Sequence, residues 1–190
     1  MKKVNKILVL LLVAVFAIPI LNSCKKGEGD PSLSLRSREG RLKGEWKLVS
    51  GTETGTSGTT TYTATFTETM CTYVYGGNSQ SFTYTEVVEF LKGNEFKSTI
   101  TEDGQIETCE GYWAFMDGYD EYANKEMVVI RVKSTMSGGT VHTYTGDKMP
   151  MYILRFNKLA NSECIIEAEG TSTSGSSTSS STSTKTYEKD

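Results

Sequence analysis

Residues 60–75, TTYTATFTETMCTYVY, constrain the fold of this chain more than any other stretch. Side chains of an extended strand point alternately to opposite faces. Tyr62, Ala64, Phe66 and Met70 therefore fall on one face, and Thr61, Thr63, Thr65, Thr67 and Thr69 on the other. A helix would scatter both sets around its circumference. The pattern predicts a half-buried antiparallel strand, apolar inside and polar outside. The same period recurs in EWKLVS, QSFTYTEVVEFL, EFKSTITE, QIETCEGYWAFM, EMVVIRVKSTM, TVHTYTG, MPMYILRFNKL and ECIIEAE.

The connections between these segments are short and rich in turn formers. GGNS and KGNE join neighbouring strands, Asp103-Gly104 is a strong two-residue hairpin signal, and SGG precedes TVHTYTG. GTETGTSGT, after the first strand, reads as a loop, and DGYDEYANK as a longer one. Successive hairpins form a meander, and a long meander removes its exposed edges by closing on itself. The expected fold is all-β, an antiparallel up-and-down β-barrel of about 8–10 strands with a short N-terminal helix. That helix is signalled by DPSLSLRSREGRLKG. Asp30 can cap it, Pro31 suits its first position and Gly44 its end, with Leu35 and Leu42 on one face. Gly40 inside it costs about 1 kcal/mol against alanine, so the helix should be short and dependent on packing.

The barrel is expected over residues 31–170. The Ser/Thr-rich tail, 171–190, permits two readings. It is a disordered linker by composition, or the last strand of a hairpin in which 179–188 returns along 163–172. Formal charge is −3 over 190 residues, and Lys2, Lys3 and Lys6 lie in the first segment, so the remainder is more acidic still. Such a balance argues against binding a phosphate backbone, which needs clustered Lys and Arg.

Residues 1–23 read as an export signal, with three lysines and then an apolar run from Ile7 to Leu21. That run is short for a spanning helix, which needs roughly 20 apolar residues. It ends LNSC, residues 21–24, and this resembles the lipobox of bacterial lipoproteins. The resemblance implies cleavage before Cys24 and attachment of lipid chains to its thiol. Several chains on one residue anchor stably where one holds only marginally. Residues 24–30 then form the lipidated tether. Lys25 follows the cysteine where an aspartate would favour the inner membrane, so the resemblance implies the outer membrane. Periplasm-facing and surface-exposed placements both stay open.

The body carries a second resemblance. A short helix leads directly into Gly44, Glu45 and Trp46, which is similar to the lipocalin G-x-W element. Leu42, Gly44, Trp46 and Leu48, together with EGYWAF at 110–115, resemble the lipocalin-like lipoproteins of Bacteroidota. The resemblance implies that Trp46 closes one barrel end under the helix. It also implies that a late arginine, for which Arg155 is the candidate, packs over that tryptophan. Gly44, Trp46 and Arg155 are thus the expected structural residues.

Chemistry is sparse. Nucleophilic catalysis needs a base beside the nucleophile, and the single histidine, His142, lies in a Thr-rich strand with no G-x-S-x-G elbow anywhere. Cys71, Cys109 and Cys164 allow at most one internal disulfide. With His142 they lack metal-ligand spacing. Asp117, Asp120 and Glu121 lack a calcium-loop pattern. No enzymatic activity, metal or cofactor is expected. Binding remains. An eight-stranded barrel holds its own side chains or one small ligand. The inward candidates are Phe66, Tyr84, Phe96, Trp113, Phe115, Tyr144, Tyr152 and Phe156. They suit a small apolar ligand, and equally a filled core in a non-catalytic lipoprotein that contacts another envelope component. The expected partners are the membrane, through the lipid, and a small hydrophobic ligand, with no nucleic acid.

Overall fold

The computed structural model describes residues 36–123, 125–174 and 177–190. Cys24, the expected export signal and tether, Asp30, Pro31 and Leu35 lie outside the described residues. A five-residue helix, α1 (Arg38–Leu42), opens the described chain. Its cap is Ser37, whose hydroxyl accepts from the Gly40 N–H at 3.1 Å. Serine supplies the oxygen that an orphan N–H of the first turn requires.

Eleven strands follow: β1 (Gly44–Ser57), β2 (Thr60–Thr67), β3 (Met70–Tyr75), β4 (Asn78–Phe90), β5 (Glu95–Glu102), β6 (Gln105–Met116), β7 (Glu126–Ser137), β8 (Thr140–Thr143), β9 (Met151–Leu159), β10 (Glu163–Ser174) and β11 (Ser177–Lys189). All are antiparallel to their neighbours, and ten of them close into a barrel when β6 pairs with β7. The eleventh, β8, lies on β7 beyond the stretch that β9 covers. Together β8 and β9 form one interrupted strand position along β7. The expected fold class, an antiparallel barrel with a short N-terminal helix, is the one observed.

Two sequence readings change and two open ones are decided. Residues 60–75 are two strands, because the chain reverses at Glu68-Thr69 and Phe66 pairs with Cys71. The Thr67 hydroxyl accepts from the Met70 N–H at 3.2 Å and fastens the turn, and Met70 itself is exposed. Residues 51–57 belong to β1, since the backbone there pairs with β2 on one side and β11 on the other. The tail adopts the hairpin. Strand β11 pairs with β10 along its length and with β1 from Trp46 to Ser57, so it is a wall strand of the barrel. Cys71, Cys109 and Cys164 are all free thiols.

Barrel width changes along the axis. At one end β1 pairs directly with β4, Gly44 opposite Phe90 through Lys47 opposite Val87, giving a ring of eight strand positions. Beyond that fork β2 and β3 are inserted between β1 and β4, so the ring widens to ten. The narrow end is filled. Phe90 sits at its centre, with the rings of Phe96, Trp113 and Phe156 at 5.6, 5.9 and 6.4 Å. The α1 helix covers this end, and the Trp46 indole N–H donates to the Leu42 carbonyl at 2.7 Å. Arg38 reaches over the Phe115 ring at 4.1 Å and pairs with the buried carboxylate of Glu126 at 3.1 Å.

Gly44 shows why the G-x-W glycine is needed. Its φ is +136°, and a Cβ there would lie 2.5 Å from Cε of Lys189. Lys189 uses that space to place its ammonium over the Trp46 ring at 4.8 Å while donating to the Arg41 carbonyl at 2.6 Å. The cation over the tryptophan therefore comes from the C-terminal strand. Arg155, the sequence candidate, lies elsewhere, with its guanidinium 4.5 Å from the Tyr122 ring centre and 2.7 Å from Glu169. Its place within β9, rather than after a strand, directs it away from Trp46.

Candidate functional site

Above the aromatic plug the barrel interior is hollow. A cavity of about 490 Å³ is walled by Val88, Phe96, Ile100, Ile130, Leu154 and Ile166. This lies within the roughly 300–1,000 Å³ typical of ligand pockets. Strict alternation in β4 supplies one wall, since Tyr84, Glu86, Val88 and Phe90 all point inward and are buried.

The cavity reaches the outside through the barrel wall. Strand β10 pairs with β9 only from Cys164 opposite Leu159 to Glu167 opposite Arg155. Past that point, among the described residues, the two strands part, leaving a slot between Tyr152–Leu154 on one side and Ala168-Glu169 on the other. Three consecutive residues of β9, Tyr152, Ile153 and Leu154, line the cavity. Alternate side chains of a strand face opposite ways, so three lining residues in a row accord with a space that reaches the unpaired edge of β9. Tyr152 stands in this slot and is 58 % exposed. Arg155 and Glu169 pair at 2.7 Å beside it.

One polar cluster faces the apolar space. The Glu86 carboxylate accepts from the Lys185 ammonium at 2.6 Å, from the Tyr84 hydroxyl at 2.8 Å and from the Tyr187 hydroxyl at 2.7 Å. It sits at the fork where β4 leaves β1 and the inserted hairpin begins. Burial, with the adjacent Glu86 charge as the second cause, holds the Tyr84 and Tyr187 hydroxyls well above the usual phenol range. They remain neutral donors. Lys185 also lies 4.5 Å from the Phe66 ring centre and 5.7 Å from that of Tyr84. Its stem has room because the opposite residue is Gly51, where a Cβ would meet Lys185 Cγ at 2.8 Å.

The eight aromatics singled out from the sequence divide among several places. Phe96 and Tyr152 line the cavity. Phe66 and Tyr84 pack together at 5.0 Å beside the polar cluster. Trp113 and Phe156 belong to the plug beneath the cavity, and Phe115 lies under Arg38 at the helix-covered end. Tyr144 borders a separate shallow groove with Tyr112 and Lys133. Of the charged and polar lining, sequence reasoning missed Glu86, Lys185 and Tyr187. A glutamate on the apolar face of QSFTYTEVVEFL was a usable signal. Lys185 and Tyr187 were hidden in a stretch whose composition also suits a linker.

Other groups offer little chemistry. His142 is exposed on β8. Burial raises the thiols of Cys71, Cys109 and Cys164 above their ordinary range, which makes them weak nucleophiles. Among the described residues no group of three His, Cys, Asp or Glu side chains is arranged to hold a metal ion. Comparison with protein families, with curated proteins and with solved structures yields no match to this chain.

Proposed function

We propose that this protein is a non-catalytic, outer-membrane-anchored lipoprotein of lipocalin-like type that holds one small apolar molecule inside its barrel. The observation that carries the reading is the cavity of about 490 Å³, apolar over most of its wall and open through the slot between β9 and β10. A protein that used its barrel only as a scaffold would gain stability by filling such a space, since unfilled volume forfeits packing. The lipobox-like LNSC supports the anchor, and the raised thiols and exposed histidine support the absence of catalysis.

Uptake of the neutral fluorophore N-phenyl-1-naphthylamine by the chain carrying Cys24→Ser tests the binding reading. Saturable uptake is expected, with loss on Ala168→Trp, which fills the slot side of the cavity. A folded protein that takes up no probe, and that carries no small molecule in native mass spectrometry, would reject it. For the anchor, palmitate labelling in the producing bacterium should disappear in the Cys24→Ser variant.

A second reading has one observation in its favour. The inserted β2–β3 hairpin exposes Met70, Val74 and Tyr75, which suits contact with another envelope protein. Crosslinking from position 74 that recovers only the monomer would count against it.

A further inference from the structure

The polar lining of the cavity bears on the chemistry of what it would hold. We infer that its ligand is an uncharged alcohol or phenol, an apolar body with one hydroxyl, and that Lys185 and Glu86 together receive that hydroxyl. This rests on the binding reading above and narrows it.

The charges facing the cavity are balanced. Glu86 and Lys185 lie 2.6 Å apart, and Glu169 at the slot is paired with Arg155 at 2.7 Å. A ligand bearing a net charge would enter an apolar space with no counter-charge to spare, and desolvation would disfavour it. An entirely apolar ligand would lie against donors and acceptors that retain unused capacity. A carboxylate has about four acceptor sites, and Glu86 uses three of them, on Tyr84, Tyr187 and Lys185. An ammonium has three N–H donors. Among the described residues one oxygen, that of Glu86, accepts from Lys185, whose other close neighbours are the faces of Phe66 and Tyr84.

A hydroxyl is the smallest group that uses both remainders. It accepts from Lys185 and donates to the last position on Glu86. Carboxylates and ammonium groups can each satisfy one partner and repel the other. Tyr84 and Tyr187, kept neutral by burial, already place two hydroxyls on the same carboxylate, so an alcohol would complete an arrangement the protein itself begins.

The experiment uses the full-length chain with Cys24→Ser, loaded with N-phenyl-1-naphthylamine and titrated at pH 7 with 1-decanol, decanoate, decylammonium and decane. All four share one alkyl body, so only the head group differs. Decanol should displace the probe at about tenfold lower concentration than each of the others, the size expected for one charge-assisted hydrogen bond. In Lys185→Met, the advantage of decanol over decane should vanish, the two being compared within that variant whatever its own affinity for the probe. Decanoate or decylammonium binding as tightly as decanol would overturn the inference by showing that the site reads charge. Decane equal to decanol would overturn it too, while leaving apolar binding intact. Failure to take up the probe at all would instead overturn the binding reading on which the inference stands. The wild-type series is decisive even if Lys185→Met fails to fold.

Discussion

The two halves of this barrel share eight strand positions yet differ in what they enclose. At the narrow end β1 meets β4 directly, eight strand positions surround the axis, and Phe90, Trp113 and Phe156 fill the space. At the wide end the β2–β3 hairpin separates β1 from β4, and the interior holds a cavity with a polar cluster at its edge. Barrel diameter grows with strand number. A short inserted hairpin thus gives one small domain a packed base that stabilises it and a hollow top that the same side chains cannot fill.

The sharpest way to break this contrast is to remove one large side chain from each half. Phe90→Ala should cost about 4 kcal/mol in chemical denaturation, because its neighbours are held by the closed ring and cannot collapse into the gap. Ile100→Ala, on the cavity wall, should cost about 1 kcal/mol, since that side chain is only partly buried and already faces open space. Equal losses would mean that the upper half is as tightly packed as the base.

Next in size is the polar cluster at the fork. Glu86→Met alone should destabilise by about 3 kcal/mol, because it strands the Lys185 ammonium in a mostly apolar setting. Combining it with Lys185→Met should recover most of that loss. Recovery in the double variant, read from the same denaturation curves, would mark the cluster as retained for binding rather than for stability. A double variant as unstable as the single one would assign it to holding the fork together.

The smallest effect is on pH dependence. Tyr84, Tyr187 and Cys164 have folded pKa values raised chiefly by burial, above ordinary values of 10.0 for the phenols and 9.0 for the thiol. Unfolding exposes them, so above those ordinary values the unfolded chain releases protons that the folded chain retains. Stability from these groups is therefore fully present below pH 9 and is lost as pH rises beyond 10. Lys189, lowered mainly by burial, opposes the trend, against these three and the likewise raised thiols of Cys71 and Cys109. Thermal melts across this range should show a plateau followed by a decline. A midpoint that rose above pH 10 would contradict the buried, neutral state of the two tyrosines.

Much of the fold was legible because strand alternation is local. The run from Tyr84 to Phe90 names its inward residues from sequence alone, and Asp103-Gly104 forms a turn with both φ angles positive, as its residue types require. Legibility failed where register is set by a partner strand. Shifts between Leu48 and Ser50 and between Glu110 and Gly111 change which residues face inward, and one extra residue exchanges the faces beyond it. Met70 was misassigned for a related reason. The threonine pattern runs unbroken through Glu68-Thr69, so nothing in the alternation marks the reversal there.

The tail shows the division most clearly. Thr182, Thr184, Lys185 and Tyr187 have a strand's periodicity and a linker's composition, and the choice between them depends on backbone partners. Two strands, β10 and β1, offer complementary edges, and pairing with both satisfies N–H and C=O groups that water would otherwise hold. That placement brings Lys185 to Glu86, and Lys189 over Trp46. The sequence by itself determined an antiparallel barrel with an apolar face on most of its strands, because side-chain alternation needs no knowledge of neighbours. Only the tertiary structure decided that the barrel widens, that it opens between β9 and β10, and which charges meet inside it. Those outcomes depend on contacts between residues as far apart as Glu86 and Lys185, whose proximity arises only when the ring closes.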